Sequence, residues 1–254
     1  MQAGLKRRGS QSALAAGVGC MLIVVSAGAY EGGPVPDGGT IEGFVQVVGE
    51  VTPLPAQPVY KHLEECGKTV PDERLVVGDN GALRNVVVTL DGITRGKPLA
   101  TAPVVLDNHK CRFVPHVLTA CVGQSLHIVN QDAFLHDAHA HLGDRTLFNL
   151  GIPRGRTVRT PLRDAGVIHV NCNVRHTWMH AYLFVADHPY HAVTDAAGGF
   201  TITDVPPGRQ RVRIWHELLG SAEREVLVRP GETVNVQIGL AAMAPGEVPP
   251  ADTP

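Results

Sequence analysis

GVIHVNCNVRHTWMHAYLFV, residues 166–185, decides how the chain is read. GVIHVN and HAYLFV are short runs rich in β-branched and aromatic residues, the pattern of two strands. Between them lies a loop carrying Cys172, His176 and Met179 at the spacing Cys-x3-His-x2-Met. A thiolate, an imidazole and a thioether in one loop form a soft donor set suited to copper cycling between Cu(I) and Cu(II), with the methionine as a long axial ligand. The plainer reading is a buried cysteine beside a satisfied histidine. Of the four methionines, Met1, Met21 and Met243 lie near the chain ends, so Met179 is the sole methionine of the expected folded region. Zinc fits this set less well, because it is poorly served by a thioether.

A second imidazole has to come from elsewhere. Upstream, SLHIVNQDAFLHDAHAH (125–141) supplies His136, His139 and His141 beyond a strand-like run. The arrangement Asn130-x-Asp132-x3-His136 places His136 nearest the strand end, and it is the chosen ligand. The interval from His136 to Cys172 holds about two strands and their turns, enough to return both segments to one end of a sandwich. His139 and His141 alternate with Ala138 and Ala140, so both point to one face. Solvated surface histidines are preferred there over a copper-capture patch.

The paired motifs N-x-D-x3-H and C-x3-H-x2-M resemble the cupredoxin family, in particular its amicyanin and pseudoazurin type, over roughly residues 82–187. The resemblance implies a Greek-key β-sandwich and one type 1 copper held by His136, Cys172, His176 and Met179. It also implies one-electron transfer, no enzymatic activity by itself, and His176 lying nearest the surface beneath an apolar docking patch. A c-type cytochrome or an oxidoreductase is the implied redox partner. The binuclear loop of cytochrome oxidase subunit II shares this spacing but has another cysteine four positions before the one matching Cys172, where this chain has Ile168. Two departures stand out: Asp137 occupies a position where an asparagine often ties the two ligand loops together, and three residues rather than two separate Cys172 from His176.

Outward from this segment, runs such as IEGFVQVV, ALRNVVVTL, APVVL, SLHIVN and RTVRTPL alternate with turns, and only residues 59–66 suggest a turn or two of helix. Residues 41–187 are expected to form the copper domain with an N-terminal extension, all of it antiparallel sandwich. After His188 two hairpins, GGFTITDVPPGRQRVRIWHE and AEREVLVRPGETVNVQIGL, form a second β module. Its residues Gly199-Phe200, Asp204 to Gly208 and Trp215-His216-Glu217 resemble the carboxypeptidase regulatory-like, transthyretin-type sandwich, expected over 188–240. Residues 30–40 read as a linker and 241–254 as a disordered Pro/Ala-rich tail. The fold class is therefore all-β.

The first 29 residues begin with Lys6-Arg7-Arg8, continue through an apolar stretch and end Ala27-Gly28-Ala29. This reads as a signal peptide cut after Ala29, the rival being an uncleaved anchor; the apolar run is shorter than the roughly 20 residues a membrane span needs. The expected location is the periplasm, by either the general or the twin-arginine route, with no transmembrane segment after cleavage. Cys20 leaves with the leader, so four cysteines remain. In an oxidising compartment Cys66 and Cys111 are paired in preference to two free thiols, and Cys121 in its apolar run is structural. His188, His191 and Trp215-His216-Glu217 are assigned to packing between the domains rather than to a second metal site. The aromatic Trp178, which with His180 flanks Met179, is read as a shield against water. A net charge of -2 without charged blocks speaks against nucleic acid. Two rival functions remain open: a copper carrier or sensor, and a metal-free structural binding module.

Overall fold

The computed structural model describes residues 29–242. The leader as far as residue 28 and the tail from residue 243 lie outside the described residues. Among the described residues strands dominate, and the one α-helical turn is Leu63–Cys66. The all-β expectation holds.

Two sandwiches share the chain. The first packs a four-stranded sheet, in the order Thr157–Pro161, Ser125–Asn130, Val104–His109, Arg112–Val114, against a five-stranded sheet, in the order Arg145–Ile152, His136–Leu142, Gly166–Asn171, His180–Ala186, Val117–Cys121. Alternation along these strands turns Leu126 and Ile128 of one sheet, and Ala138, Ala140, Ile168, Val170 and Leu183 of the other, into a shared core. Each fully buried Leu or Ile contributes about 1.5–3 kcal/mol of transfer free energy. The 166–171 and 180–186 strands pair antiparallel from Gly166↔Val185 to Asn171↔His180, which leaves the Cys-x3-His-x2-Met segment as the connection at one end of the sheet.

The second sandwich does not begin at residue 188. Its sheets run His191–Val193, Val87–Asp91, Gly208–His216, Gly220–Val228 and Gly199–Val205, Gly39–Val48, Thr233–Ala241. Gly39–Val48 lies parallel to Thr233–Ala241 from Thr40↔Thr233 to Val48↔Ala241. Val87–Asp91 pairs with Gly208–His216. The physical reason is the core: Ile41, Val45, Val88 and Leu90 face Ile202, Val212, Ile214 and Ile238, apolar surface that two hairpins alone would leave wet. The expected boundaries are corrected accordingly. The segment read as an N-terminal extension of the copper domain supplies strands to the second unit, and the first unit is inserted between them. Two smaller revisions follow. The linker is partly strand, since Glu31–Gly32 pairs with Arg95–Gly96, and Ala241 closes a strand rather than opening a tail.

The units meet through Val117 of the first and Val87 and Trp215 of the second, with Val167, Tyr182, Phe184 and Val193 packed around them. The Tyr182 and Trp215 rings sit 5.2 Å apart, edge to face. Near this junction His191 and His216 are sunk in the protein, and burial pushes each imidazole down to about 4. A folded-state value below the ordinary 6.5 means that the folded chain binds fewer protons than the unfolded one below pH 6.5. Their contribution is complete above pH 6.5 and is lost as pH falls toward 4, by roughly 3 kcal/mol per group. The melting temperature of the metal-free protein is expected to drop on the order of 10 °C between pH 7 and pH 4.5. A flat profile in differential scanning calorimetry would contradict this.

Candidate metal centre

The motif Asn130-x-Asp132-x3-His136 is a turn that builds itself. The Asn130 side-chain amide donates to the carbonyls of Phe134 and Ile152, both at 2.8 Å. Its oxygen accepts the Asp132 N–H at 2.9 Å. Asp132 accepts the backbone N–H groups of Lys110 and Cys111, each at 2.8 Å. It also binds His136 Nε2 at 2.9 Å. Burial pushes the Asp132 carboxyl up, but the hydrogen bonds from His136 and from the Cys111 amide outweigh it and hold the group below its ordinary value. The carboxylate therefore keeps the proton of His136 on Nε2 and leaves the Nδ1 lone pair facing inward.

On that inward side lie the other donors. His136 Nδ1 is 3.7 Å from Cys172 Sγ. His176 Nδ1 is 3.5 Å from the same sulfur and 3.1 Å from His136 Nδ1. His136 and His176 are fully buried, and Cys172 is nearly so. Met179 is buried in the same loop, which is closed by Met179 N–H donating to His176 O at 2.8 Å and by Cys172 N–H donating to Met179 O at 3.2 Å. His139 and His141 stay apart from this set. Their rings lie side by side with centroids 3.9 Å apart, and His139 binds Thr146 Oγ1 at 3.2 Å and the Asn173 amide.

The donors fit a metal ion. Burial pushes the Cys172 thiol up to about 12 and the His176 imidazole down to about 4, so without a cation the pocket would hold a neutral thiol beside a neutral His176 ring. Two nitrogens and a sulfur at these separations form a triangle that a first-row ion with bonds of about 2.0–2.3 Å can fill. A cation at its centre would draw the thiol to thiolate. Asp132→Asn is expected to lower copper affinity by roughly 10–100-fold and to cost some stability as well, since its one amide oxygen can accept from only one of the Lys110 and Cys111 N–H groups, which reach different oxygens of the carboxylate. Competition against a chelator of known strength measures it.

Asp137 takes over the tie between the ligand segments, its carboxylate accepting the Asn173 N–H. Departure from asparagine there keeps the connection while adding a negative charge beside the thiol.

The pocket has a cover that local sequence patterns did not mark. His62 stacks on Phe134, with centroids 3.7 Å apart and planes 4° off parallel, and stands edge-on to His176 at 5.4 Å. Phe134 and Trp178 flank His176 at 5.5 and 5.3 Å. Trp178 Nε1 donates to the Cys111 carbonyl at 2.9 Å. His176 is thus not nearest the surface; partly exposed His62 lies above it. A disulfide between Cys66 and Cys111, with Cα atoms 5.5 Å apart, carries the 62–66 turn to this place. Lys61 Nζ adds a 3.3 Å contact to Val174 O of the metal loop. The only signal for His62 in the sequence is its position four residues before a bridged cysteine.

Of the remaining residues, Cys121 is fully buried, its sulfur 3.4 Å from His191 Nε2. His188 accepts from Tyr190 N–H at 3.2 Å. His216 accepts from Leu218 and Leu219 N–H at 3.2 and 3.3 Å.

No family model and no curated protein matches the chain. Among solved structures, a copper-containing nitrite reductase from Thermus scotoductus SA-01 is similar over 37% of this chain and 24% of its own, at 25% identity and TM-score 0.32. A single-site mutant of amicyanin in its reduced state is similar over 39% of this chain and 97% of its own, at 20% identity and TM-score 0.30. A purple cupredoxin from Nitrosopumilus maritimus is similar over 34% of this chain and all of its own, at 18% identity and TM-score 0.29. The chain thus spans about a quarter of the reductase's length. The transthyretin-type resemblance of 188–240 is not confirmed by these comparisons. The expectation that the chain is not an enzyme is withdrawn: one of the similar structures is itself an enzyme, so a likeness of this kind gives no ground for excluding catalysis.

Proposed function

We propose that the chain is an exported mononuclear copper protein of type 1 that passes single electrons. The observation that carries this reading is the convergence of His136 Nδ1, His176 Nδ1 and Cys172 Sγ within 3.1–3.7 Å in a buried pocket. His136, Cys172 and His176 would hold the ion, and Met179 would supply the axial thioether. Copper bound there would supply a Cu(I)/Cu(II) couple. The chain's own residues keep the donors in place: Asp132 orients His136, Asp137 ties down Asn173, and both backbone bonds of Met179 close the loop. His62, Phe134 and Trp178 exclude water.

Export to a periplasm is supported by the basic-then-apolar N-terminus and by the Cys66–Cys111 bridge, which belongs to an oxidising compartment. No helix among the described residues is long and apolar enough to cross a membrane. The partner in this reading is another redox protein, such as a c-type cytochrome or an oxidoreductase, approaching over His62 and Phe134.

Reductive titration of the copper-loaded protein tests the proposal. Reversible one-electron reduction with copper retained supports electron transfer. Release of copper on reduction would favour the carrier reading instead.

A further inference from the structure

The junction between the sandwiches holds a second group of donors, separate from the first. His116 lies just before the strand Val117–Cys121, His180 opens the strand His180–Ala186, and Glu217 follows the strand Gly208–His216. Two elements of the first unit and one of the second thus meet at a point. The ligating atoms of the three side chains all lie within 4.8 Å of one another.

Their arrangement leaves one donor without a partner. The Glu217 side chain is 3% exposed, and its two oxygens face His116 Nε2 and His180 Nε2, the latter at 3.8 Å. A carboxyl group taken out of water needs polar partners, and His116 alone makes a direct hydrogen bond to it. Arg74, which lies in the field of Glu217, is already engaged by Asp72 at 2.6 and 3.0 Å. Meanwhile His180 Nε2 is buried with no hydrogen-bond partner. Its 3.8 Å separation from Glu217 is too long for a hydrogen bond. It is close to the roughly 3.3–3.6 Å at which a four-coordinate ion with bonds of about 2.0–2.2 Å holds neighbouring donors.

We propose that His116, His180 and Glu217 bind a divalent first-row transition-metal ion, distinct from the copper on Cys172. Two imidazoles and a carboxylate, without sulfur, favour the divalent state over Cu(I). Three protein ligands leave a coordination position open. A narrow crevice lined by Pro71, Glu73, Arg112 and Met179 adjoins His116 and His180. The rival account of the cluster is the direct His116–Glu217 hydrogen bond with no metal ion.

Co(II) alone, added to the metal-free full-length chain, separates these accounts, because a thiolate-bound Co(II) shows a sulfur-to-metal charge-transfer band and a His/Glu-bound Co(II) does not. The expected result is two equivalents per chain. In Cys172→Ser the charge-transfer band disappears and one equivalent, seen by its weaker visible absorption, persists. In Glu217→Gln the persisting equivalent binds at least tenfold more weakly, while the charge-transfer band stays. Should Glu217→Gln fail to fold, His180→Gln, at the more exposed corner, gives the same readout. The proposal is overturned if Cys172→Ser binds no Co(II), or if its affinity is indifferent to the change at Glu217 or His180. Failure of the first copper reading would show separately, as absence of the charge-transfer band in the parent chain.

Discussion

Cys172→Ser is expected to abolish the intense thiolate-to-copper absorption of the Cu(II)-loaded protein completely, the largest single effect available in this chain. The substitution is nearly isosteric, and a serine hydroxyl can hydrogen-bond the Nδ1 atoms that now lie 3.5 and 3.7 Å from the sulfur. The fold should therefore survive, with circular dichroism unchanged and the metal-free melting temperature within a few degrees of the parent. What disappears is the soft, polarizable donor: an alcohol oxygen is a poor ligand for Cu(I), so the reduced protein should lose its ion readily. Absorption spectroscopy and metal analysis on the two proteins, side by side, check both parts. A parent protein that loads copper without any such band would remove the type 1 assignment.

The second large effect concerns the covalent staple. Replacing Cys66 and Cys111 together with serine opens a loop whose ends are 45 residues apart, and loop-closure entropy puts the loss near about 4 kcal/mol. Denaturant titration reads that loss as a lower midpoint, with a somewhat steeper slope because the unfolded chain is no longer cross-linked. A second consequence is local. Without the bridge, His62 and its turn are kept over Phe134 and His176 only by ring contacts and by the Lys61 contact to Val174. Copper extraction by a chelator should then accelerate by more than tenfold. Unchanged extraction with lowered stability would mean that the cover does not limit access.

What could be read from the sequence follows the range of the interactions involved. Cys172, His176 and Met179 lie within eight residues, and a loop between two apolar runs announces itself. His136 could be singled out from His139 and His141 because the Asn130 and Asp132 pattern is local too, a turn stabilised by its own side chains. Strand content was legible for the same reason, since a period of two needs only about six residues. The parallel partnership of Thr40 with Thr233, by contrast, joins segments nearly two hundred residues apart, and the alternation in IEGFVQVV says which face is buried but not against what. His62 and His116 escaped for a related reason. Each is an ordinary exposed-looking residue in its own neighbourhood, and becomes a neighbour of chemistry only through a disulfide or a domain junction.

Interleaving of the two units has a consequence for how the protein comes to be folded. The first sandwich is drawn from one continuous stretch between Val104 and Ala186, so all its pairings can form while the chain is still emerging. The second cannot close until its final strand, Thr233–Ala241, arrives beside Gly39–Val48, which until then can pair only with Gly199–Val205 and keeps its other edge open. Shortening the chain to residue 187 would accordingly yield no tidy half-protein. It would strand Gly39–Val48 and Val87–Asp91 as sticky ends on an otherwise complete first sandwich, a recipe for self-association.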